Sequence, residues 1–175
     1  MSYCSIGIPD WAKVVFSDET KVTRIGGGGR EIQWVDKNMP ALEAGAISQI
    51  TAFGGGGIMI WGCITWNGPG SIARFDGTVN GNDMAKIYEN ELMSTFIDWE
   101  MTDPYIKFQQ DNAPVHTSRI AKEALRRRQI TVLSWPAVSP DLNPIENLWT
   151  QLKRRLYNYT TEAKDNDELW SRIQE

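Results

Sequence analysis

The sequence predicts an α/β fold, a mixed β-sheet flanked by helices, from a change of hydrophobic period along the chain and a recurrent placement of charge. Up to about residue 75 the apolar segments are short, strand-like and separated by glycine-rich turn signals, whereas from residue 83 amphipathic helical stretches alternate with strands. Two apolar runs are each followed by a carboxylate, Asp18 and Asp111, and a third, Glu146, stands in the first turn of the last strong helix.

Lys13 to Ser17 reads as a short buried strand that ends at Asp18, and Glu31 to Val35 alternates polar and apolar residues as a half-buried partner strand does. Gly26 to Gly29 between them suits a hairpin connection, because glycine tolerates positive φ. The run lacks the Gly-Lys-Ser/Thr ending of a phosphate-binding loop. Asp36 to Gly57 has no clear period and reads as a long loop. Ile58 to Thr65 is the most strand-like segment, and the turn signal Asn67 to Gly70 separates it from a next strand at Ser71 to Phe75.

From Asp83 the period becomes helical. Met84, Ile87, Tyr88, Leu92, Phe96 and Trp99 share one face, Asn82 is the expected N-cap, and the helix should end near Asp103-Pro104. Tyr105 to Gln109 is then a strand delivering Asp111. Ser118 to Arg128 is a helix with Ile120, Ala121, Ala124 and Leu125 inward, and Ile130 to Trp135 is a further strand. The last strong helix begins at Asn143-Pro144-Ile145-Glu146, with an N-cap Asn, proline at the first helical position and a glutamate three residues after the cap. Its apolar stripe is Ile145, Leu148, Trp149, Leu152 and Leu156, and Asp165 to Glu175 forms a short terminal helix.

With 175 residues and 41% hydrophobic content, residues 1–175 are expected to form one domain with one core, and no apolar run approaches the roughly 18 residues of a membrane span. Cys4 and Cys63 form no Cys-x-x-Cys pair, and the start Met1-Ser2-Tyr3 lacks a signal peptide's basic and apolar regions, so an intracellular, reduced protein is expected. The formal charge of −4 does not by itself point to nucleic acid, whose binding domains are usually basic. A site built of carboxylates, however, adds local negative charge that a bound cation offsets. Hard divalent cations take oxygen ligands from a few carboxylates, and a pair of them can clamp both oxygens of an in-line phosphoryl displacement. The three acids therefore suggest a divalent-metal site acting on nucleic acid.

Four stretches, Phe16 to Thr20, Met59 to Ile64, Gln109 to His116, and Trp135-Pro136-Ala137 through Asn147-Leu148-Trp149, resemble the catalytic domain of Tc/mariner superfamily transposases. The resemblance covers nearly the whole chain. It includes the 34 residues between the second and third acids, and glutamate as the third resembles the Tc branch. It implies an RNase H-like fold with a five-stranded mixed sheet and Asp18, Asp111 and Glu146 as catalytic, metal-ligating residues. It further implies Mg²⁺, with Mn²⁺ able to substitute and two ions at work, for cleavage and strand transfer in cut-and-paste transposition. Double-stranded DNA, as transposon ends and as target, a homodimer and a nuclear location in a eukaryote belong to the same expectation. Family members recognise their ends through a pair of N-terminal helix-turn-helix modules, and the dozen or so residues ahead of the first strand are too few for one, so a catalytic domain alone is expected.

Each residue also has a plainer reading. Asp18 can simply end a strand, and Glu19 beside it is equally acidic; Asp111-Asn112 before Pro114 is ordinary turn chemistry. Glu146 can close a capping box with Asn143. Asp141 is an alternative third acid, although Pro140-Asp141-Leu142 reads more naturally as a turn. His116, the chain's one histidine, and Asn112 are possible auxiliary residues, His116 by contacting a phosphate or by orienting Asp111. Arg126, Arg127 and Arg128, with Lys153, Arg154 and Arg155, are either solvated helical faces or contacts to a DNA backbone. Trp66 is the tryptophan expected to be free for DNA or a partner. The rival to an enzyme is a catalytically silent, transposon-derived protein that binds DNA or subunits without chemistry; a ribonuclease of the RNase H type lacks the transposase-specific motifs.

Overall fold

In the computed structural model, which describes residues 11–24, 56–136 and 139–175, strand β1 runs over Val14–Thr23. It is twice as long as its apolar core suggests. Asp18 therefore lies within the strand and not beyond it, because the polar residues from Ser17 onward alternate with buried Thr20 and Val22 and keep one face apolar. The strand expected at Glu31 to Val35, the glycine run Gly26 to Gly29 and most of the long loop before Gly57 fall outside the described residues.

β2 (Gly57–Thr65) and β3 (Gly68–Phe75) form an antiparallel hairpin closed by Trp66 and Asn67, so the turn sits ahead of the expected Asn67 to Gly70 and β3 begins at Gly68. Thr65 sets this register by donating its hydroxyl to the Gly68 carbonyl and accepting the Asn67 N–H. α1 (Gly81–Ile87) is capped by Asn80, not Asn82. The Asn80 side chain accepts from Asn82 and Asp83, and the Asp83 carboxylate accepts from Asn80 N–H, a capping box. A π-helical turn, Tyr88–Leu92, leads into α2 (Met93–Asp98), which ends five residues before the expected Asp103. Phe96 and Trp99 are only half-buried.

β4 (Lys107–Gln109) leaves Tyr105 exposed, and a single helical turn α3 (Pro114–Thr117) precedes α4 (Arg119–Arg127). Ala121, Ala124 and Leu125 of α4 are buried, but Ile120 is 40% exposed: the buried stripe of this helix runs through the positions one and four to five residues on. β5 is only Thr131–Val132; Leu133 to Trp135 follow it outside the assigned strand, with Leu133 N–H donating to the Phe108 carbonyl at 2.8 Å. After a 3₁₀ turn at Pro140–Leu142 come α5 (Ile145–Tyr157) and α6 (Asn166–Gln174), the latter capped by Asp165. Leu148 and Leu152 of α5 are half-buried, while Ile145, Trp149 and Leu156 are buried.

The five strands form one mixed sheet in the order β3-β2-β1-β4-β5, with β2 and β3 antiparallel and β1, β4 and β5 parallel at their shared ladders. The chain has two compact units, Met1–Thr20 with Met59–Thr150, and Lys21–Ile58 with Gln151–Glu175. In the first, successive residues of β1 bury into different clusters: Val15 joins Trp61, Tyr88, Phe108 and Leu125, while Val14 and Phe16 join Leu133 and Trp135. In the second, Leu156, Ala163, Leu169 and Ile173 are buried, and Arg172 donates to the Thr161 carbonyl at 2.6 Å. No helix among the described residues is long and apolar enough to cross a membrane.

Candidate active site

Strand register brings the first two acids together. Val14, Val15 and Phe16 of β1 stand opposite Lys107, Phe108 and Gln109 of parallel β4, an offset of 93 residues, and the same offset carries Asp18 to Asp111. Adjacent strands lie about 4.8 Å apart. The register is locked by a side chain: Ser17 N–H donates to Gln109 Oε1 at 3.2 Å, and Ser17 Oγ donates to the Gln109 carbonyl at 2.9 Å.

The third acid arrives on α5. Asn143, buried just ahead of that helix, donates its amide to the Ser17 carbonyl at 3.1 Å and accepts the Ile145 N–H at 3.3 Å. One residue thus ties the helix start to β1. Glu146 and Trp149, three apart and so on one face, then turn toward Asp18: the Trp149 indole donates to Asp18 Oδ2 at 3.1 Å. The expected capping box is not formed, since among the described residues the Glu146 carboxylate has no hydrogen bond to Asn143 or to any other group. The 3₁₀ turn and Pro144 carry Asn143 into the protein, where its amide is used on Ser17.

A cavity of about 300 Å³ opens among Asp18, Gln109, Asp111, Asn112, Asn143 and Glu146. Asp141 does not line it, and stands exposed in the 3₁₀ turn. A smaller cavity of about 200 Å³ in the second unit, around Arg24, Tyr159 and Arg172, has Glu162 as its one carboxylate.

Alternation of side chains along a strand decides between the neighbouring acids of β1. Asp18 shares the parity of Val14 and Phe16 and faces the cavity, whereas Glu19 shares that of Val15 and points to the opposite face. Burial pushes the Asp18 carboxyl up to about 7, and the negative charges of Glu19 and Glu146 push the same way against the Glu19 backbone N–H and the Trp149 indole. Asp111, with its side chain 57% exposed, accepts the Ala113 N–H at 2.8 Å through Oδ1.

His116 is buried and both its ring nitrogens are engaged, Nδ1 with the Tyr88 hydroxyl at 2.8 Å and Nε2 with Glu19 Oε2 and Asp111 Oδ1, each at 3.3 Å. Burial works to lower the His116 pKa, but the Glu19 hydrogen bond and the charges of Glu19, Asp111 and Asp18 outweigh it, and the net direction is upward. Asn112 donates to the Trp135 carbonyl at 3.0 Å and closes the cavity wall.

The basic residues are less committed. Arg126 is paired with Glu123 at 2.8 Å and Arg127 with Glu89 at 2.9 Å, and Arg128 is exposed at the end of α4. Lys153, Arg154 and Arg155 lie on the last two turns of α5, in the second unit. Trp66 is 64% exposed at the β2–β3 turn, as expected. Sequence reasoning did not single out Trp149, Gln109 or Gln110, or any polar role for Tyr88, as part of the site: each reads as a core or strand residue.

An all-oxygen donor set suits a hard cation, and a carboxyl raised to about 7 by burial and then by neighbouring charge is one that a cation would return to its ionised form. Among the described residues no three His, Cys, Asp or Glu side chains stand close enough to hold a metal ion as placed. Asp111 and Glu146 are both exposed; Asp111 Oδ1 is engaged by the Ala113 N–H and His116, while the Glu146 carboxylate has no hydrogen bond among the described residues.

A family model described as DDE superfamily endonuclease matches residues 13–170. The chain is 37% identical over 158 residues to the transposable element Tcb1 transposase of Caenorhabditis briggsae, covering 88% of this chain and 55% of that protein. It is 37% identical over 148 residues to the Tc3 transposase of Caenorhabditis elegans, covering 85% and 43%. The chain spans about half the length of the curated relatives it matches. Among solved structures, the Mos1 mariner paired end complex with Mn is similar at a TM-score of 0.67 and 22% identity, over 94% of this chain and 52% of that one. The Mos1 catalytic domain is similar at 0.60 and 18%, over 94% and 76%. These last two likenesses establish the fold, the RNase H-like mixed sheet expected from the motifs.

Proposed function

The chain belongs to the DDE superfamily endonuclease family, and from that premise we propose that residues 1–175 form a single catalytic domain of a Tc-type transposase, which cleaves double-stranded DNA at transposon ends and joins the freed end to target DNA. The observation that carries the reading is the meeting of Asp18, Asp111 and Glu146 on one cavity, by strand register and by the Asn143 tether. In this reading Asp18, Asp111 and Glu146 hold Mg²⁺, or Mn²⁺ in its place, as a pair of ions. The bound ions supply charge neutralisation at the attacking and leaving oxygens of both displacements. The protein's share is positioning: Trp149 orients Asp18, Asn143 fixes the helix that bears Glu146, and Asn112 holds the wall beside Asp111.

Arg128 and the Lys153, Arg154 and Arg155 group offer phosphate contacts, which carry no sequence information. The likeness to a Mos1 paired-end complex with a transposon end supports DNA as the partner; the same reading has a dimer as the working state, in the nucleus of a eukaryotic source. The test is nicking of supercoiled plasmid with Mg²⁺ or Mn²⁺ against chelator, beside Asp111→Asn. Divalent-dependent nicking that the variant lacks supports the proposal. A second reading, DNA binding without chemistry, draws on the carboxylates' standing apart in this structure; it predicts salt-sensitive DNA retention with no nicking under either metal.

A further inference from the structure

Behind the cavity, on the opposite face of β1, lies a buried polar chain with no part in the chemistry described above. The Tyr88 hydroxyl donates to Gln110 Oε1 at 2.7 Å and meets His116 Nδ1 at 2.8 Å. On the far side of the ring, Nε2 stands 3.3 Å from Glu19 Oε2 and 3.3 Å from Asp111 Oδ1. Tyr88, Gln110 and His116 are all buried. Since the tyrosine's one proton goes to Gln110, it accepts from Nδ1, and Nε2 faces carboxylate oxygens, which only accept.

Several features set this apart from a histidine that is merely satisfied in a core. The ring reaches two carboxylates, Glu19 on β1 next to Asp18, and Asp111, to which the β1–β4 offset carries Asp18 when extended two residues past the end of β4. Tyr88 opens the π-helical turn that interrupts the helix after α1, and such turns occur frequently at functional sites. Its ring is fixed edge-on against Phe108, the β4 residue paired with Val15, at 5.6 Å and 71°. The other Glu19 oxygen is buried with no hydrogen-bond partner among the described residues, where His116 is the side chain that bonds this carboxylate.

We propose that Gln110, Tyr88, His116 and Glu19 form a cross-brace that fixes the spacing of Asp18 and Asp111, making His116, Tyr88 and Glu19 positioning residues for the metal site. The inference rests on the reading of Asp18 and Asp111 as ligands. Its consequence is selective. Mg²⁺ demands near-ideal octahedral geometry at short distances, and Mn²⁺ is the ion expected to substitute for it; a loosened brace should therefore cost Mg²⁺ function more than Mn²⁺ function.

The test uses Tyr88→Phe, which keeps the ring on Phe108, and Glu19→Gln, which keeps an acceptor for His116; both avoid the folding risk of removing the imidazole. Plasmid nicking and the metal-induced thermal shift are measured with each ion. The expected result is a loss of about tenfold or more in Mg²⁺-supported nicking against about threefold or less with Mn²⁺, that is, a difference of several tenths of a decade or more in transition-state stabilisation, with the Mg²⁺ thermal shift reduced in step. In the metal-free protein the ring ¹⁵N resonances of the sole histidine should move on Asp111→Asn and on Tyr88→Phe. Parallel losses with the two ions, or a histidine signal indifferent to Asp111→Asn, overturn the brace. A parent chain with no response to either ion overturns the ligand reading, and the brace with it.

Discussion

Asp18 and Glu146 face one cavity and are held in opposite ways. Asp18 sits inside the ten-residue strand β1, between buried Ser17 and half-buried Glu19, with an indole N–H on one oxygen; Glu146 is exposed on the first turn of α5, with no hydrogen bond to its carboxylate among the described residues. One acid is placed at the cost of its charge, since burial and its neighbours push its carboxyl up to about 7. The other keeps conformational freedom. On the proposed reading the sheet supplies a fixed ligand to set the ion's position, and the helix an adjustable one to close around it.

The largest effects should come from abolishing either proposed ligand, and they should differ in what else changes. Asp18→Asn and Glu146→Gln should each reduce divalent-dependent nicking by orders of magnitude, because a neutral amide is a poor ligand for a hard cation. Asp18→Asn should in addition raise the melting temperature of the metal-free protein near pH 8, since it removes a buried charge beside Glu19 and Glu146. Glu146→Gln should leave that temperature nearly unchanged. Equal melting shifts in the two variants, or full nicking by Glu146→Gln, would break the contrast.

The same contrast should be visible in pH. Well below pH 3.8 Asp18 is protonated in the folded and unfolded chain alike; as pH rises toward 7 the unfolded chain ionises at the ordinary 3.8 while the folded chain keeps its proton. The unfolded state then binds fewer protons, so this group's contribution to stability falls as pH rises through that window and levels off above about 7. The interval from 3.8 to about 7 corresponds to at most about 4 kcal/mol. Saturating Mn²⁺ should flatten the decline, because a ligand that binds the native state offsets it. Denaturant melts from pH 4 to 8, with and without Mn²⁺, decide this, and Asp18→Asn should abolish the slope assigned to this residue.

Smaller effects should come from the supports of the fixed acid. A Cβ at Gly62 would stand 2.7 Å from Trp149 Cη2, so Gly62→Ala must push the indole that donates to Asp18. Overpacking of that kind costs about 1–3 kcal/mol. Trp149→Phe, which keeps most of the ring but not the N–H, should cost about 1 kcal/mol for the lost hydrogen bond. Both should weaken Mn²⁺ binding in calorimetry more than an equally destabilising change in the α1 stripe, such as Met84→Leu.

The sequence made the fold class, most of the elements and the three acids legible, because hydrophobic period and the acid-bearing motifs are local patterns. Elements were misjudged where a tertiary partner decides. β1 runs on past Ser17 since Thr20 and Val22 find cover, and the helix from Gly81 stops early and carries a π-helical turn that no periodicity announces. The cap at Asn80 was readable, for Asp83 three residues on completes the box. So was the choice of Asp18 over Glu19, which follows from strand alternation once Val14 and Phe16 are known to share a cluster. The chain from Gln110 through Tyr88 and His116 to Glu19 was not: its members come from β1, the π-helical turn and the stretch after β4, and only the folded register joins them.

The smallest predicted effect tests whether nearness in sequence to the third acid matters. Asp141 is five residues before Glu146 and equally acidic, but it lies exposed in the 3₁₀ turn and does not line the cavity, while Asn143 between them is what pins the helix to Ser17. Exposed substitutions away from caps and buried networks usually change stability by less than about 0.5 kcal/mol. Asp141→Asn should therefore melt within that margin of the parent and nick plasmid at close to the parent rate with either metal. Asn143→Ala, two positions on, should lose the Ser17 tether and slow nicking although it removes no charge. If Asp141→Asn instead matches Glu146→Gln in its loss, the third ligand comes from the turn, and the helix bearing Glu146 serves only to close the cavity.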